Sequence, residues 1–77
     1  MDNEPGKEAE FVRGPFGERL TLDNLPPGPP RRWVLRRKAE IAAAVRGGLI
    51  SPAEVRLRYG ITEDELDEWM EVLKRFG

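Results

Sequence analysis

The sequence contains neither cysteine nor histidine. Disulfide frameworks, thiol nucleophiles and zinc sites of the usual Cys/His kind are therefore excluded, and a reducing cytoplasm suits the chain. No apolar run approaches membrane-spanning length, and the acidic opening MDNEPGKEAE is the reverse of a signal peptide's charged-then-apolar start. A cytoplasmic protein without membrane partners is expected. No Gly-rich phosphate loop is present, and the acidic group Glu63, Asp64, Asp67, Glu68 lacks the ligand spacing of an EF-hand. Carboxylates abound, but on the outer side of an amphipathic helix nothing raises their pKa or excludes water. Neither enzymatic activity nor a metal or cofactor is expected. With 77 residues the chain makes one domain at most, near the size where a single core is marginal without staples.

What is present is segregated charge. The formal net charge of −1 divides into −3 over residues 1–30, +6 over residues 31–60 and −4 over residues 61–77. A chain patterned in this way can offer one face to a polyanion and another to a basic partner.

Organisation centres on residues 51–69, SPAEVRLRYGITEDELDEW. Two capping boxes, Ser51-x-x-Glu54 and Thr62-x-x-Glu65, mark two helix starts. Pro52 suits the first helical position, and Gly60 supplies the left-handed residue that ends the first helix. Val55, Ile61, Leu66 and Trp69 fall where a helix-turn-helix needs apolar residues. An αα-corner without a ligand has the same pattern, because a fold does not fix a function.

Upstream, residues 1–10 are rich in Glu, Gly and Pro without apolar periodicity and read as a disordered tail. Phe11-Val12 and Leu20-Thr21-Leu22 flank Gly14-Pro15-Phe16-Gly17, a small hairpin that must lean on the helices through Phe16 or Leu22, or stay mobile. Leu25 is a further candidate anchor. Pro26-Pro27-Gly28-Pro29-Pro30 reads as a stiff linker, more simply than as an SH3-type ligand. The expected division is residues 1–30, comprising the tail, an arm from Phe11 to Leu25 that is loosely attached, and the linker, followed by a helix-turn-helix domain over 31–77.

Helix 1 is predicted from about Arg31 to Arg46. Val34, Ile41 and Val45 form its apolar face, and Arg32, Arg36, Ala39, Ala43 and Arg46 form a second face that is either a phosphate-pairing surface or simply solvated. Gly47-Gly48 ends it, and Leu49-Ile50 staples the next start to the core. Helix 3, from Glu63 to about Arg75, has Leu66, Trp69, Met70, Leu73 and Phe76 on one stripe and Asp64, Asp67, Glu68 and Glu71 outside.

In a DNA-reading helix-turn-helix the second helix of the motif enters the major groove. Here that helix is acidic, and four outward acids are repelled by phosphates. Arg32, Arg36, Arg46, Arg56 and Arg58 are therefore the candidate contacts to double-stranded DNA, and Asp64, Asp67, Glu68 and Glu71 the candidate contacts to a basic protein. A protein-interaction adaptor without DNA binding is the competing class.

With Arg32-Trp33-Val34, Arg37-Lys38-Ala39, Ala44-Val45-Arg46-Gly47-Gly48-Leu49, Arg58-Tyr59 and Trp69 in view, the chain resembles the SciP family. Those proteins are small inhibitors of the alphaproteobacterial cell-cycle regulator CtrA. Leu20-Thr21-Leu22 and Leu25-Pro26 are also similar, and the likeness covers about residues 11–76. The resemblance implies an all-α, Trp-repressor-like helix-turn-helix fold. It also implies a transcriptional role: binding CtrA and promoter DNA so that CtrA-dependent genes are not activated. Val55 and Arg56 depart from the smaller residues of that pattern.

Overall fold

The computed structural model describes residues 11–76, so the tail expected over residues 1–10 lies outside the described residues. A hairpin of two short strands, β1 (Val12–Arg13) and β2 (Arg19–Leu20), precedes three helices, α1 (Leu35–Arg46), α2 (Pro52–Tyr59) and α3 (Glu63–Phe76). The strands are antiparallel, with Val12 opposite Leu20 and Arg13 opposite Arg19. Among the described residues no helix is long and apolar enough to cross a membrane.

Local chemistry sets the helix ends. Ser51 Oγ accepts the Glu54 N–H at 3.1 Å, and Pro52 follows at the first helical position. At Thr62 the box is closed in both directions: the Glu65 N–H donates to Thr62 Oγ1, and the Thr62 N–H donates to Glu65 Oε1. Between the two helices Gly60 takes φ 72°, and its N–H donates to the Arg56 carbonyl. The end of α1 is a Schellman turn. Gly48 adopts φ +84°, its N–H donates to Val45 O, and the Leu49 N–H reaches back to Ala44 O at 2.8 Å.

The core lies between α1 and α3, the most extensive contact between elements. Four alanines of α1, at 39, 42, 43 and 44, are buried and let α3 approach closely with Leu66, Trp69 and Leu73. Val55, Tyr59 and Ile61 close the α2–α3 corner, and Leu49 and Ile50 are buried at the approach to α2. Met70 is half-buried against this cluster; the Phe76 side chain falls outside the described residues.

Three expectations are corrected. First, α1 begins at Leu35, not Arg31: residues 31–34 run on from Pro29-Pro30 without helical turns, and Val34 is extended at φ −96°, ψ 161° with no side-chain cap. Its first turn holds only basic charges, which oppose the helix dipole, so nothing local pulls the start earlier. Val34 is consequently exposed, not part of the core. Second, the expected basic face is interrupted: Arg36 and Arg46 are exposed, but Ala39 and Ala43 between them do not reach solvent. Residues 39–44 are buried without a break, because α3 covers one side and the hairpin another, the condition of a helix enclosed all round.

Third, residues 11–30 are not loosely attached. Leu20 (4% exposed) and the expected anchor Leu25 (3%) belong to the same cluster as Ile41, while the other candidate anchors, Phe16 and Leu22, are exposed. Burying each leucine is worth about 1.5–3 kcal/mol, enough to hold a ribbon that would be unstable alone. Val12 lies against Gly47, where a Cβ would overlap Val12 Cγ1 and stand 2.9 Å from Val12 Cβ. Farther along, the Tyr59 hydroxyl donates to the Pro26 carbonyl at 2.6 Å. Trp33 packs edge-on against Tyr59 (5.5 Å between centroids) and tilted against Trp69 (4.7 Å).

Two stability results are expected. Ser51→Ala and Thr62→Ala each lower the unfolding free energy by about 1 kcal/mol in urea titrations. Gly47→Ala, an ordinarily favourable helix-end change, costs about 1–3 kcal/mol through overpacking against Val12, and hydrogen exchange shows the loss at the hairpin amides.

Candidate nucleic-acid interface

The five arginines singled out from the sequence fall in different surroundings. Arg36 is the least available. Its Nε lies 3.3 Å from Glu40 Oε2, its Nη2 lies 3.9 Å from Glu18 Oε2, and its guanidinium covers the Phe16 ring at 4.9 Å. Neighbouring Arg37 donates to Glu40 Oε1 at 3.0 Å. By contrast Arg32, Arg46, Arg56 and Arg58 have no carboxylate partner among the described residues. Arg32 is exposed ahead of α1, and Arg46 is exposed in its last turn, where a cation suits the dipole. Arg56 and Arg58 are two residues apart on α2 and so point to different sides; Leu57 between them is 85% exposed. Of the three arginines expected on one face of α1, only Arg36 and Arg46 lie on that helix, and Arg36 is engaged by Glu40 and Glu18.

Glu40 is the buried acid of this region and links α1 to the hairpin. Glu18 accepts the Phe16 N–H at 2.7 Å, and its carboxyl packs over Gly14. Its Oε2 is buried without a hydrogen-bond donor and lies 3.9 Å from Arg36 Nη2, and its carboxyl interacts with that of Glu40. Burial, and next the Glu18 carboxyl, push the Glu40 pKa up, against the pull of Arg37 and Arg36. For Glu18, burial acts upward but is outweighed by hydrogen bonds from Glu40 and from the backbone N–H groups of Glu18 and Phe16, so its pKa is lowered.

On α3, Asp64, Asp67, Glu68 and Glu71 are all exposed at helical spacing, opposite the buried Leu66, Trp69 and Leu73. Glu71 pairs with Lys74 at 3.2 Å across two exposed side chains, an arrangement of little energetic weight. The segregation of acids from core is complete on this helix.

Two basic residues escaped the sequence reading. Because Val12 and Leu20 face the core, the strand alternation places Phe11, Arg13 and Arg19 on the outer face of the hairpin. Arg19 lies over the Phe11 ring at 4.3 Å and Arg13 at 5.5 Å; Arg13 Nη1 also donates to the Gly17 carbonyl. The available signal was the period of two in Phe11-Val12-Arg13 and Arg19-Leu20-Thr21. A shallow cleft of about 180 Å³ between Leu22, Leu49, Ile50, Ser51, Glu54 and Arg58 is smaller than the few hundred Å³ that small-molecule sites occupy. The charged surface, not a pocket, is the candidate site.

The family model described as "Protein of unknown function (DUF1153)" matches residues 4–77. The chain belongs to the DUF1153 family. It is similar to the protein coded by gene RHOS4_12090 of Rhodobacter sphaeroides, whose solution NMR structure shares 35% identity with it at a TM-score of 0.78, over 100% of this chain and 81% of that one. The solution NMR structure of the structural-genomics target SiR5 is similar at 29% identity and a TM-score of 0.61, over 99% of this chain and 88% of that one. No curated protein matches the chain. In this DUF1153 member the hairpin lies within the matched segment, in keeping with its share of the core.

The acid pair predicts a pH dependence. A carboxyl with a raised folded pKa stabilises fully below its ordinary value of 4.5, and that contribution is lost as pH rises through the folded value. Glu18, lowered, stabilises above its ordinary value and loses the contribution as pH falls through its folded value. The pair thus contributes most near pH 4.5 and less toward neutrality. Glu40→Gln removes the Glu40 titration and so abolishes the loss toward neutral pH, read as a flatter curve of Tm against pH.

Proposed function

We propose that this protein is a transcriptional regulator that restrains promoter activation by binding promoter DNA and a CtrA-like response-regulator transcription factor in the bacterial cytoplasm. The observation that carries this reading is the separation of charge over the fold. Arginines without a carboxylate partner among the described residues stand on the α1 end, on α2 and ahead of α1, while four acids share the outer face of α3. Phosphates are attracted to the first set and repelled by the second; a basic protein surface has the opposite preference. The resemblance to the SciP family supports the same pair of partners, and the corner formed by α2, Gly60 and α3 suits a Trp-repressor-like helix-turn-helix.

In this assignment DNA lies against Arg32, Arg46, Arg56 and Arg58, with Arg36 mainly holding the hairpin through Glu40 and Glu18. The partner meets Asp64, Asp67, Glu68 and Glu71. No step of chemistry is required of either surface. One observation favours a second reading, a protein-interaction adaptor without DNA binding: the helix that would enter the major groove is the acidic α3.

Titration against duplex DNA over a series of salt concentrations separates the two. A phosphate binder loses affinity with salt, and each phosphate contact removed lowers the slope of log affinity against log salt by about 0.9. Arg46→Ala combined with Arg56→Ala is expected to reduce the slope by about 1.8, whereas an adaptor shows no salt-dependent affinity to lose. Asp67→Lys with Glu68→Lys is expected to slow association with the transcription factor while low-salt DNA binding holds or improves. Loss of DNA binding in that folded variant, with partner binding intact, contradicts the assignment of α3.

A further inference from the structure

The hairpin's outer face has an electrostatic composition that its structural role does not require. Arg13 and Arg19 are directly opposite each other in the register, and like charges so placed destabilise a strand pair. The strands are two residues long, where any such cost matters. Among the described residues no carboxylate offsets either arginine, although Glu18 lies beside Arg19 in sequence; its carboxyl is turned to Gly14, Arg36 and Glu40 instead. The Phe11 ring lies beneath both guanidinium groups, which restricts their motion while leaving the side chains exposed. Two ordered, unneutralised guanidinium groups side by side are a ready acceptor for anionic oxygens, since the planar fork suits phosphate.

The hairpin's placement gives this charge a context. It follows α1, with Val12 against Gly47 at the helix's end and Glu18 beside Arg36 in its first turn. That separation is about 16 Å at 1.5 Å per residue, roughly five base-pair steps at 3.4 Å. Being fixed to the core by Val12 and Leu20, the hairpin presents its arginines at a set position relative to Arg46.

We propose that the outer face of the hairpin, through Arg13 and Arg19, is a second contact to the phosphate backbone of duplex DNA, a wing beside the helical contact. This inference rests on the DNA-binding reading above. Phosphate is favoured over an acidic peptide because the arginines are paired side by side on an exposed strand face, with the Phe11 ring beneath them.

The test uses the full chain, a random-sequence duplex and a salt series. Arg13→Gln with Arg19→Gln removes both charges and the mutual repulsion, so the fold is retained, with Tm unchanged or higher. The expected result is a slope reduced by about 1.8, restored by Arg13→Lys with Arg19→Lys, which returns the charge. An unchanged slope in the folded glutamine variant overturns the wing, even if that variant loses affinity for an acidic peptide. If Arg46→Ala with Arg56→Ala still lowers the slope in that case, DNA binding stands without the wing. Absence of salt-dependent binding in the unmodified protein overturns both.

Discussion

Trp33 closes the structure. Its ring meets Tyr59 at the end of α2 and Trp69 in the middle of α3, while its backbone leads from the proline segment into α1. Aromatic contacts of this kind are worth about 0.5–1.5 kcal/mol each beyond the area they bury, a large share of the margin in so small a domain. The Tyr59–Pro26 hydrogen bond fixes the other side of the same segment. Residues 26–34 thus act as a strap across α2 and α3, and the strap brings the hairpin to α1. Trp33, held against Tyr59 and Trp69, fixes the segment that leads into α1.

Function depends less on how many arginines the chain has than on which of them are neutralised within it. Arg36 and Arg37 are committed to Glu40, a buried acid that also serves Glu18 and so joins helix to hairpin. Arg13, Arg19, Arg32, Arg46, Arg56 and Arg58 have no such partner among the described residues. The positive balance of residues 31–60 is therefore partly internal, and the surface gains two charges from an arm whose overall balance is negative. Proteins that use phosphate contact for position need fixed cations more than numerous ones. Fixation here comes from Phe11 under the guanidinium groups and from a core continuous through the hairpin.

Features dictated by near neighbours were legible in the sequence. Both helix starts at Ser51 and Thr62, the stop at Gly60, the turn between Val12 and Leu20 and the two faces of α3 follow from residues within one or two turns of one another. What was not legible depends on distant contact. Periodicity placed Val34 in the core because it assumes that the helix begins after Pro30; Trp33 turning to Trp69, thirty-six positions away, ends that assumption. Ala39 and Ala43 resembled a surface flanked by arginines, yet small side chains serve equally to admit a neighbouring backbone, and α3 and the hairpin both approach. Arg32, Arg36 and Arg46 share one side of an ideal helix, but Arg32 lies ahead of α1 and Arg36 is held by Glu40 and Glu18, while Arg13 and Arg19 follow a strand's period of two.

The most direct test is a map of backbone amide chemical-shift changes in the labelled protein on titration with duplex DNA at low salt. Changes should concentrate at Arg13 and Arg19 on the hairpin, at Arg46 and around Arg56 on α2, while Asp64, Asp67, Glu68 and Glu71 on α3 stay unmoved. Changes centred on the acidic face of α3, or none at any residue, would contradict a DNA surface built from the hairpin and the first two helices.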